Sequence, residues 1–485
     1  MNKKSFKKAG LIILSIVLIA WLLSCAVNPV TGKREFMLLT EGGEIQLGKN
    51  TDAQVVEMYG RYENQQIGNY INGLGKKMAK LSHRPNLNWE FKVLDSPVIN
   101  AFAVPGGFIY VTRGILAYFN SEAELAGVLG HEIGHVTARH SAKQYSKTTV
   151  AQLGLAVGSE LSETFRNYAG FAQFGVGMLF LKYSRDNERQ ADALGVEYSS
   201  KSGFDANHMA KFFGTLERLH PSSGGSLPEW FSTHPNPPDR INAVKRDTKK
   251  WQTKLQKPNY SVNTTNYLQK INGMIYGKDP RQGYVEGNVF YHPQMKFQFP
   301  VPASWQVNNT PSQVQMFTEK QDAVIIFSLG KGSTPKAAAD EFIAGTKAVV
   351  KSSNQIRVNG LSAQQVISDV PGQQEGSSTP VISTFIQMDS KVFVFHGFSS
   401  QAQFNTYLPI FKNTMNKFKK LTDRRKINVK PAKLVIKKTT KRQTLRQAFS
   451  SFKVSSDKFE EMAVLNGRQL NDNIPKDTLL KIVVK

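Results

Sequence analysis

Two histidines and a glutamate within five residues form the pattern with the clearest chemistry in the chain. In the run His131-Glu132-Ile133-Gly134-His135, the histidines are four positions apart in a segment predicted to be helical. Because a helix turns once in about 3.6 residues, both imidazoles project from one face and can reach one metal ion. Glu132 lies about 100° round the helix from His131, where it can polarise a metal-bound water without being a ligand. Zinc makes hydroxide available near neutral pH, so the run predicts hydrolysis of peptide bonds.

A catalytic zinc site also needs a third protein ligand and one open position. Ala138 and Ser141 stand where the metzincin pattern needs glycine and histidine, which excludes that class. His140 is off that pattern, and we expect it to be structural or to lie behind a ligand. Glu188 is the candidate third ligand, and Asp192 one turn later could accept a hydrogen bond from the far nitrogen of a ligand histidine. The alternative for this charged segment is an ordinary solvated helix face.

Predicted helices and strands must position these residues. Ser121 with Glu124 three residues later is a capping box, which opens a helix that continues through His140. Two strand-like runs, Trp89–Leu94 and Phe108–Thr112, precede this helix. We therefore expect the metal-binding helix to follow directly on a small sheet.

Two further segments complete the predicted surroundings of the site. A helix is predicted for residues 185–199, which would carry Glu188 and Asp192. The stretch Thr148 to Tyr183 is apolar, rich in glycine and predicted to be helical. It could pack as a helical hairpin on the core, cover a substrate cleft or touch a membrane.

Four motifs together resemble those of the HtpX/BepA-like zinc endopeptidases, a gluzincin family related to the CAAX prenyl proteases. They are His131-Glu132-Ile133-Gly134-His135-Val136, the Glu188-x-x-x-Asp192 spacing, Asn100-Ala101-Phe102-Ala103 before Pro105-Gly106-Gly107, and Ser232-Thr233-His234-Pro235. The resemblance covers residues from about 41 to 250. It implies one zinc ion bound by His131, His135 and Glu188, with Glu132 as the general base.

The same resemblance implies roles for residues around the metal. The strand carrying Asn100, Ala101 and Phe102 would be the edge on which an extended substrate adds as a further strand. His234 matches a histidine on a loop over the metal. It could stabilise the oxyanion, ligate zinc and hold the enzyme shut, or be only a turn residue. Arg240 could reach the same cleft and bind substrate.

The N-terminus resembles a bacterial lipoprotein signal. A lysine-rich start is followed by the apolar run Leu11 to Leu23 and by Ser24-Cys25. Residues 1–24 are therefore predicted to be a signal peptide and residues 25–40 a tether lipidated on Cys25, the only cysteine in the chain. An uncleaved anchor helix is the alternative. Ala26 after the cysteine resembles the outer-membrane sorting pattern.

The length of the chain predicts several domains, and its strand-like and helical patterns predict an α+β fold. A mainly helical gluzincin protease domain with a small edge β-sheet is expected over residues 41–257, followed by a linker over 258–283. An α+β domain of unknown role follows over 284–425. The basic tail, 426–485, has a β-α-α-β order that resembles LysM glycan-binding modules. The net charge of +25 suits an anionic partner or serves solubility alone, and export excludes nucleic acid as that partner.

Together these features predict a zinc metalloendopeptidase in the cell envelope, lipid-anchored and facing the periplasm at the outer membrane. The resemblance implies quality control of misfolded or unassembled envelope proteins, because the chain lacks the multiple spanning segments of HtpX and the prenyl proteases. One alternative is a chaperone-like assembly factor for outer-membrane proteins that rarely cuts and works with the assembly machinery. Another is a binding protein that docks on peptidoglycan.

Overall fold

A computed structural model of the chain describes residues 25–158, 183–219, 229–234, 239–372 and 377–485. Contacts divide the chain into two compact units. Unit 1 runs to Val56 and continues with Gly60–Gly277 and Ala432–Val484, whereas unit 2 holds Glu57–Tyr59, Lys278–Pro431 and Lys485. The signal peptide predicted for residues 1–24 lies outside the described residues, and so do residues 159–182 of the apolar stretch.

Unit 1 begins with an antiparallel hairpin of β1 (Cys25–Val27) and β2 (Arg34–Phe36). Asn28 between the strands donates from Nδ2 to the carbonyl of Ala138 at 3.3 Å. The predicted tether is thus packed against the residues that follow the metal-binding run.

Helices α1 (Glu41–Tyr59) and α2 (Gln65–Ala79) lead to a small sheet. Its strands are β3 (Glu90–Leu94), β4 (Ala101–Val104) and β5 (Phe108–Thr112), in the order β3-β5-β4. β3 is parallel to β5 and β4 antiparallel to it, so β4 lies at an edge. Gly106 in the β4–β5 turn has a φ of 83°, and a Cβ there would meet the Ile45 Cα at 2.8 Å. Only glycine allows this close approach of the turn to α1.

Further helices surround this sheet in unit 1. They are α3 (Arg113–Tyr118), α4 (Glu122–Thr137), α5 (His140–Gly158), α6 (Arg185–Lys201), α7 (Asn207–Arg218), α8 (Trp230–Thr233), α9 (Arg240–Leu255) and α10 (Thr264–Ile271). The helix predicted to continue through His140 ends at Thr137, because Arg139 takes a left-handed φ of 57° and α5 then starts in a new direction. Among the described residues, no helix has the length and apolar character needed to cross a membrane.

Unit 2 contains two sheets. The smaller has the order β16-β8-β7-β6, and the larger is antiparallel with the order β12-β13-β14-β15-β11-β10-β9. The strands are β6 (Tyr284–Glu286), β7 (Val289–His292), β8 (Phe297–Pro300), β9 (Gln306–Asn309), β10 (Gln313–Phe317), β11 (Ala323–Leu329), β12 (Val349–Val358), β13 (Leu361–Pro371), β14 (Ser378–Met388), β15 (Lys391–Ser399) and β16 (Lys419–Lys420).

Helices of unit 2 cover both faces of its larger sheet. They are α11 (Pro335–Thr346) and α12 (Phe404–Asn416). The short α13 (Arg424–Ile427) lies by the smaller sheet, where Lys426 pairs with Glu286 of β6. Successive β14 side chains point to opposite faces. Phe385 accordingly packs with α11, whereas Ile382 and Ile386 belong to the apolar cluster that includes α12. The α+β character predicted for residues 284–425 is confirmed.

The C-terminal tail belongs to unit 1. It contains β17 (Lys433–Lys438), β18 (Gln443–Thr444), α14 (Leu445–Ser451), α15 (Phe459–Leu465), β19 (Asn473–Ile474) and β20 (Leu479–Val484). β17 pairs with β20, in the predicted β-α-α-β order. Leu434, Phe449 and Leu480 are buried in one apolar core with Tyr267 of α10. This shared core groups the tail and part of the predicted linker with the protease part, and the likeness to LysM modules stays a prediction.

Candidate active site

Helix α4 brings three of the predicted site residues into the interior of unit 1. Its N-terminus is fixed by Ser121, whose hydroxyl accepts a hydrogen bond from the Glu124 amide at 3.2 Å. The side chains His131, Glu132 and His135 are fully buried. The predicted motif therefore lies within the fold and not on a solvated face.

Helix α6 supplies the candidate third ligand. Ser184 caps it by accepting a hydrogen bond from the Asn187 amide, and Glu188 lies in the first turn, fully buried. The Glu188 Oε1 is 3.4 Å from the His135 Nε2, and its Oε2 is 3.6 Å from the His131 Nε2. The solvated helix face is thus excluded for Glu188.

These ligand atoms converge as a tetrahedral metal site requires. The Nε2 atoms of His131 and His135 are 3.0 Å apart. One ligand atom from each of His131, His135, Glu188 and His234 lies within 4.8 Å of the others. Zinc–nitrogen bonds of about 2.0–2.1 Å place tetrahedral ligand atoms about 3.3 Å apart, close to the 3.0, 3.4 and 3.6 Å that separate the His131, His135 and Glu188 atoms. Burial holds the pKa of His135 well below its usual range, so the ring is neutral and offers a lone pair.

Asp192 and Arg240 stand behind the ligands. The Asp192 Oδ1 is 2.8 Å from the His131 Nδ1, so His131 donates from Nδ1 and keeps the lone pair on Nε2. Arg240 donates from Nε and Nη2 to the two Asp192 oxygens, both at 2.8 Å, and from Nη2 to the Glu188 Oε2 at 3.4 Å. Arg240 is 4% exposed. Its donors are directed at these two carboxylates, whereas the sequence predicts a role in substrate binding.

The charge of this buried group suits a divalent cation. Glu132, Glu188 and Asp192 carry three negative charges against the one positive charge of Arg240, a formal charge of −2. Burial raises the pKa of Glu188, but the neighbouring His234 and His135 imidazoles outweigh this and hold it well below its usual range. A buried net charge of this size is costly unless an ion of opposite sign balances it. The residues present therefore fit a divalent metal.

Glu132 is close to the ligands but is bonded to none of them. Both of its carboxylate oxygens are buried without a hydrogen-bond partner, and Oε1 is 3.6 Å from the His234 Nε2. Burial raises its pKa. The four candidate ligands His131, His135, Glu188 and His234 form what we call the metal group. Buried acceptors are normally satisfied, so unpaired oxygens beside this group are expected to bind a water or substrate group.

His234 follows helix α8 and lies among the ligand atoms. Its Nδ1 is 3.3 Å from the His131 Nε2 and 3.1 Å from the Glu188 Oε1. The ring stacks on Trp230, with centroids 4.2 Å apart. Burial lowers the pKa of His234, but the carboxylates of Glu188 and Glu132 outweigh this and raise it above its usual value. His234 is therefore part of the metal group and more than a turn residue.

The predicted substrate strand is the edge strand β4. Ala101 and Phe102 lie in β4, and Asn100 just before it donates from Nδ2 to Glu229 at 3.3 Å. The carbonyl of the preceding Ile99 accepts a hydrogen bond from the Trp230 amide at 3.2 Å. The start of β4 is thus bonded to the segment that carries His234.

Two further side chains lie beside His135: Tyr183, for which the sequence predicts no role in the site, and His140, which is expected to be structural or to lie behind a ligand. The Tyr183 ring stacks on His135 with centroids 4.0 Å apart, and its hydroxyl is 2.7 Å from the Ser141 Oγ. His140 lies behind His135, with 3.0 Å between their Nδ1 atoms. Nothing in its sequence context separates Tyr183 from an ordinary core aromatic residue.

A helix-borne histidine pair beside a glutamate from a second helix is a donor set found in catalytic zinc sites. Residues 65–248 match the model of Peptidase family M48, and this part of the chain is an M48 peptidase domain.

Relatives of this domain carry protease and metalloendopeptidase names. The beta-barrel assembly-enhancing protease of Yersinia pestis is 31% identical, over 43% of this chain and 44% of its own length. The mitochondrial metalloendopeptidase OMA1 of Schizosaccharomyces pombe is 28% identical, over 44% of this chain and 64% of its own length. The chain thus spans less than two thirds of these relatives. Among solved structures, cyanobacterial PsbP from Synechocystis aligns with a TM-score of 0.23 at 13% identity, covering 28% of this chain and 96% of that one, and no fold assignment follows.

Proposed function

We propose that the chain is a zinc-dependent endopeptidase. The proposal rests on the convergence of His131, His135 and Glu188 beside a Glu132 carboxylate whose oxygens have no hydrogen-bond partner. These three residues would hold the ion. A bound zinc ion would supply Lewis acidity, which activates water and polarises the scissile carbonyl.

Glu132 is the general base of this proposal. A water between Glu132 and the ligands would lose its proton to the carboxylate, which then delivers that proton to the leaving amine. Because burial raises the pKa of Glu132, the carboxylate is a better proton acceptor than an exposed glutamate. Asp192 and Arg240 keep the ligands oriented during this transfer.

The position of strand β4 at a sheet edge supports the proposal that the substrates are extended, unfolded chains. A peptide that adds to a sheet edge is held by main-chain hydrogen bonds, which do not depend on its sequence. Asn100, Ala101 and Phe102 would form this edge, and β5 already occupies the other side of β4.

His234 favours a resting form that is closed. A catalytic zinc site keeps one position open, whereas here a fourth candidate ligand atom, a His234 nitrogen, lies beside the other three. Of the roles open to His234, ligation at rest agrees best with its 3.1 Å separation from Glu188. A substrate must then displace His234, which protects folded proteins from cleavage.

Misfolded or unassembled envelope proteins are the proposed substrates, with the protease lipid-anchored through Cys25 and facing the periplasm at the outer membrane. The lipoprotein-like N-terminus and the printed names of the bacterial relatives support this. Those names also favour a second candidate, an assembly factor for barrel proteins that rarely cuts. The complete set of ligands with a general base weighs against this candidate, because binding alone requires none of them.

Zinc content and casein cleavage would be compared for wild type and Glu132→Gln. We expect about one zinc in each, with cleavage only by wild type. If both proteins bind zinc and neither cuts, His234→Ala decides between the two candidates. Activity gained by His234→Ala supports the closed resting form, and continued inactivity favours the assembly factor. A wild-type chain that binds no zinc contradicts the proposal.

A further inference from the structure

Behind His135 lies a chain of contacts that leads away from the metal group. The His135 Nδ1 is 3.0 Å from the His140 Nδ1, and the His140 Nε2 is 3.0 Å from the Gln190 Oε1. His140 begins α5 and is 3% exposed, whereas Gln190 comes from α6, two residues after Glu188. The contacts therefore join three helices at one ligand.

The polarity of this chain of contacts follows from the amide oxygen, which can only accept a hydrogen bond. The His140 Nε2 must then donate to Gln190, which leaves the His140 Nδ1 as an acceptor. His135 consequently donates from Nδ1 and carries its lone pair on Nε2, the atom that faces His131 and Glu188. With the opposite polarity, a proton would lie on the His135 Nε2 and no lone pair would face the metal.

We propose that His140 and Gln190 are positioning residues that fix the metal-binding tautomer of His135. The proposal rests on the metallopeptidase function. It assigns to His135 the kind of support that Asp192 gives His131, because ligand histidines normally donate their other N–H to an acceptor. A neutral imidazole serves here where a fourth carboxylate would add charge to Glu132, Glu188 and Asp192, which are already buried together.

Variants of the full-length chain separate this role from simple packing. Gln190→Glu keeps an acceptor for the His140 Nε2, whereas Gln190→Met removes that acceptor. His140→Phe removes the nitrogen that accepts from the His135 Nδ1. We expect zinc affinity, measured by competition with a chelator, to fall about 10–100-fold in His140→Phe. Gln190→Met should also bind zinc more weakly, and Gln190→Glu at least as tightly as wild type. Unfolding temperatures of the metal-free proteins control for folding.

Equal zinc affinity in His140→Phe and wild type would overturn the proposal, as would a Gln190→Glu variant that binds as weakly as Gln190→Met. If His140→Phe does not fold, the Gln190 pair decides. Nitrogen-15 NMR of the histidine rings in metal-free wild type gives a second readout. A proton on the His135 Nε2 contradicts the proposed tautomer. Since this readout needs no zinc, a wild-type chain without zinc affinity would count against the proposed function alone.

Discussion

Single side chains set the charge balance of the metal group, to which Arg240 contributes a buried positive charge. It is paired with Asp192 through two hydrogen bonds of 2.8 Å and with Glu188 through one of 3.4 Å. Arg240→Met would leave both carboxylates buried without this partner. We expect the free energy of unfolding of unit 1 to fall by about 3–5 kcal/mol and the zinc content to drop. Urea denaturation and metal analysis of purified protein would measure both.

Arg189→Met is the matched control, because Arg189 pairs with Asp186 on an exposed face of the same region. Its loss should change stability by less than about 1 kcal/mol. A substrate-binding Arg240 would give another result: a raised KM with unchanged stability and zinc content. That outcome would restore the role that the sequence predicts.

The core of the candidate site follows from spacing within two helices. His131 and His135 are one turn apart on α4, and Glu188 and Asp192 are one turn apart on α6, so each pair can be predicted locally. The contacts of Arg240 with Asp192 and of His140 with Gln190 cannot, because each joins residues that are distant in sequence. A lone arginine or histidine gives no periodic signal of such a contact.

At the scale of elements, glycines such as Gly130 of α4 and Gly195 of α6 let the two helices approach closely enough for Glu188 to reach the histidines. A Cβ at Gly195 would lie 3.0 Å from the His131 backbone nitrogen, closer than an ordinary carbon contact. Gly195→Ala should force the helices apart, lower the stability of unit 1 by about 1–3 kcal/mol and weaken zinc binding. Thermal unfolding with and without zinc would show both effects.

Gly214→Ala in α7 controls for helix propensity, because no neighbouring atom lies within 4 Å of the added Cβ. It should stabilise the helix by about 0.5–1 kcal/mol. If Gly195→Ala stabilises the protein to the same degree, close packing of α4 on α6 is not needed for the site.

Strands of unit 2 show where sequence patterns lose their power. β8, β11, β14 and β15 alternate apolar and polar residues or are strongly apolar, patterns that indicate strands. β12 is an edge strand whose side chains are mostly exposed, so no buried face imposes alternation on Val349–Val358. Its partner β13 is paired on both sides but carries several glutamines and serines. Pairing with neighbours makes these segments strands, and a single sequence does not record that pairing.

At the scale of the whole molecule, the tail completes the core of unit 1 although a large part of the chain separates it from the protease helices. Lys481 of β20 is fully buried and donates from Nζ to the carbonyls of Ala117 at 2.7 Å and Phe119 at 2.8 Å. These carbonyls lie at the end of α3, just before α4 begins. The contacts that bind the tail to α3 are non-local and leave no local sequence pattern. From its position in the sequence alone, the tail therefore looks like an appended module.

Lys481→Met tests whether the tail supports the protease unit. Methionine keeps much of the apolar stem but leaves two buried carbonyls without a donor, which costs about 1–3 kcal/mol for each unsatisfied group. We expect a lower unfolding temperature and less casein cleavage, while Lys476→Met at an exposed position should change neither. Deleting residues 432–485 should be more severe, because it exposes the apolar side chains that pack on Leu434, Phe449 and Leu480. A shortened chain that keeps its unfolding temperature, zinc and activity would show instead that the tail is an independent module, as its LysM-like order predicts.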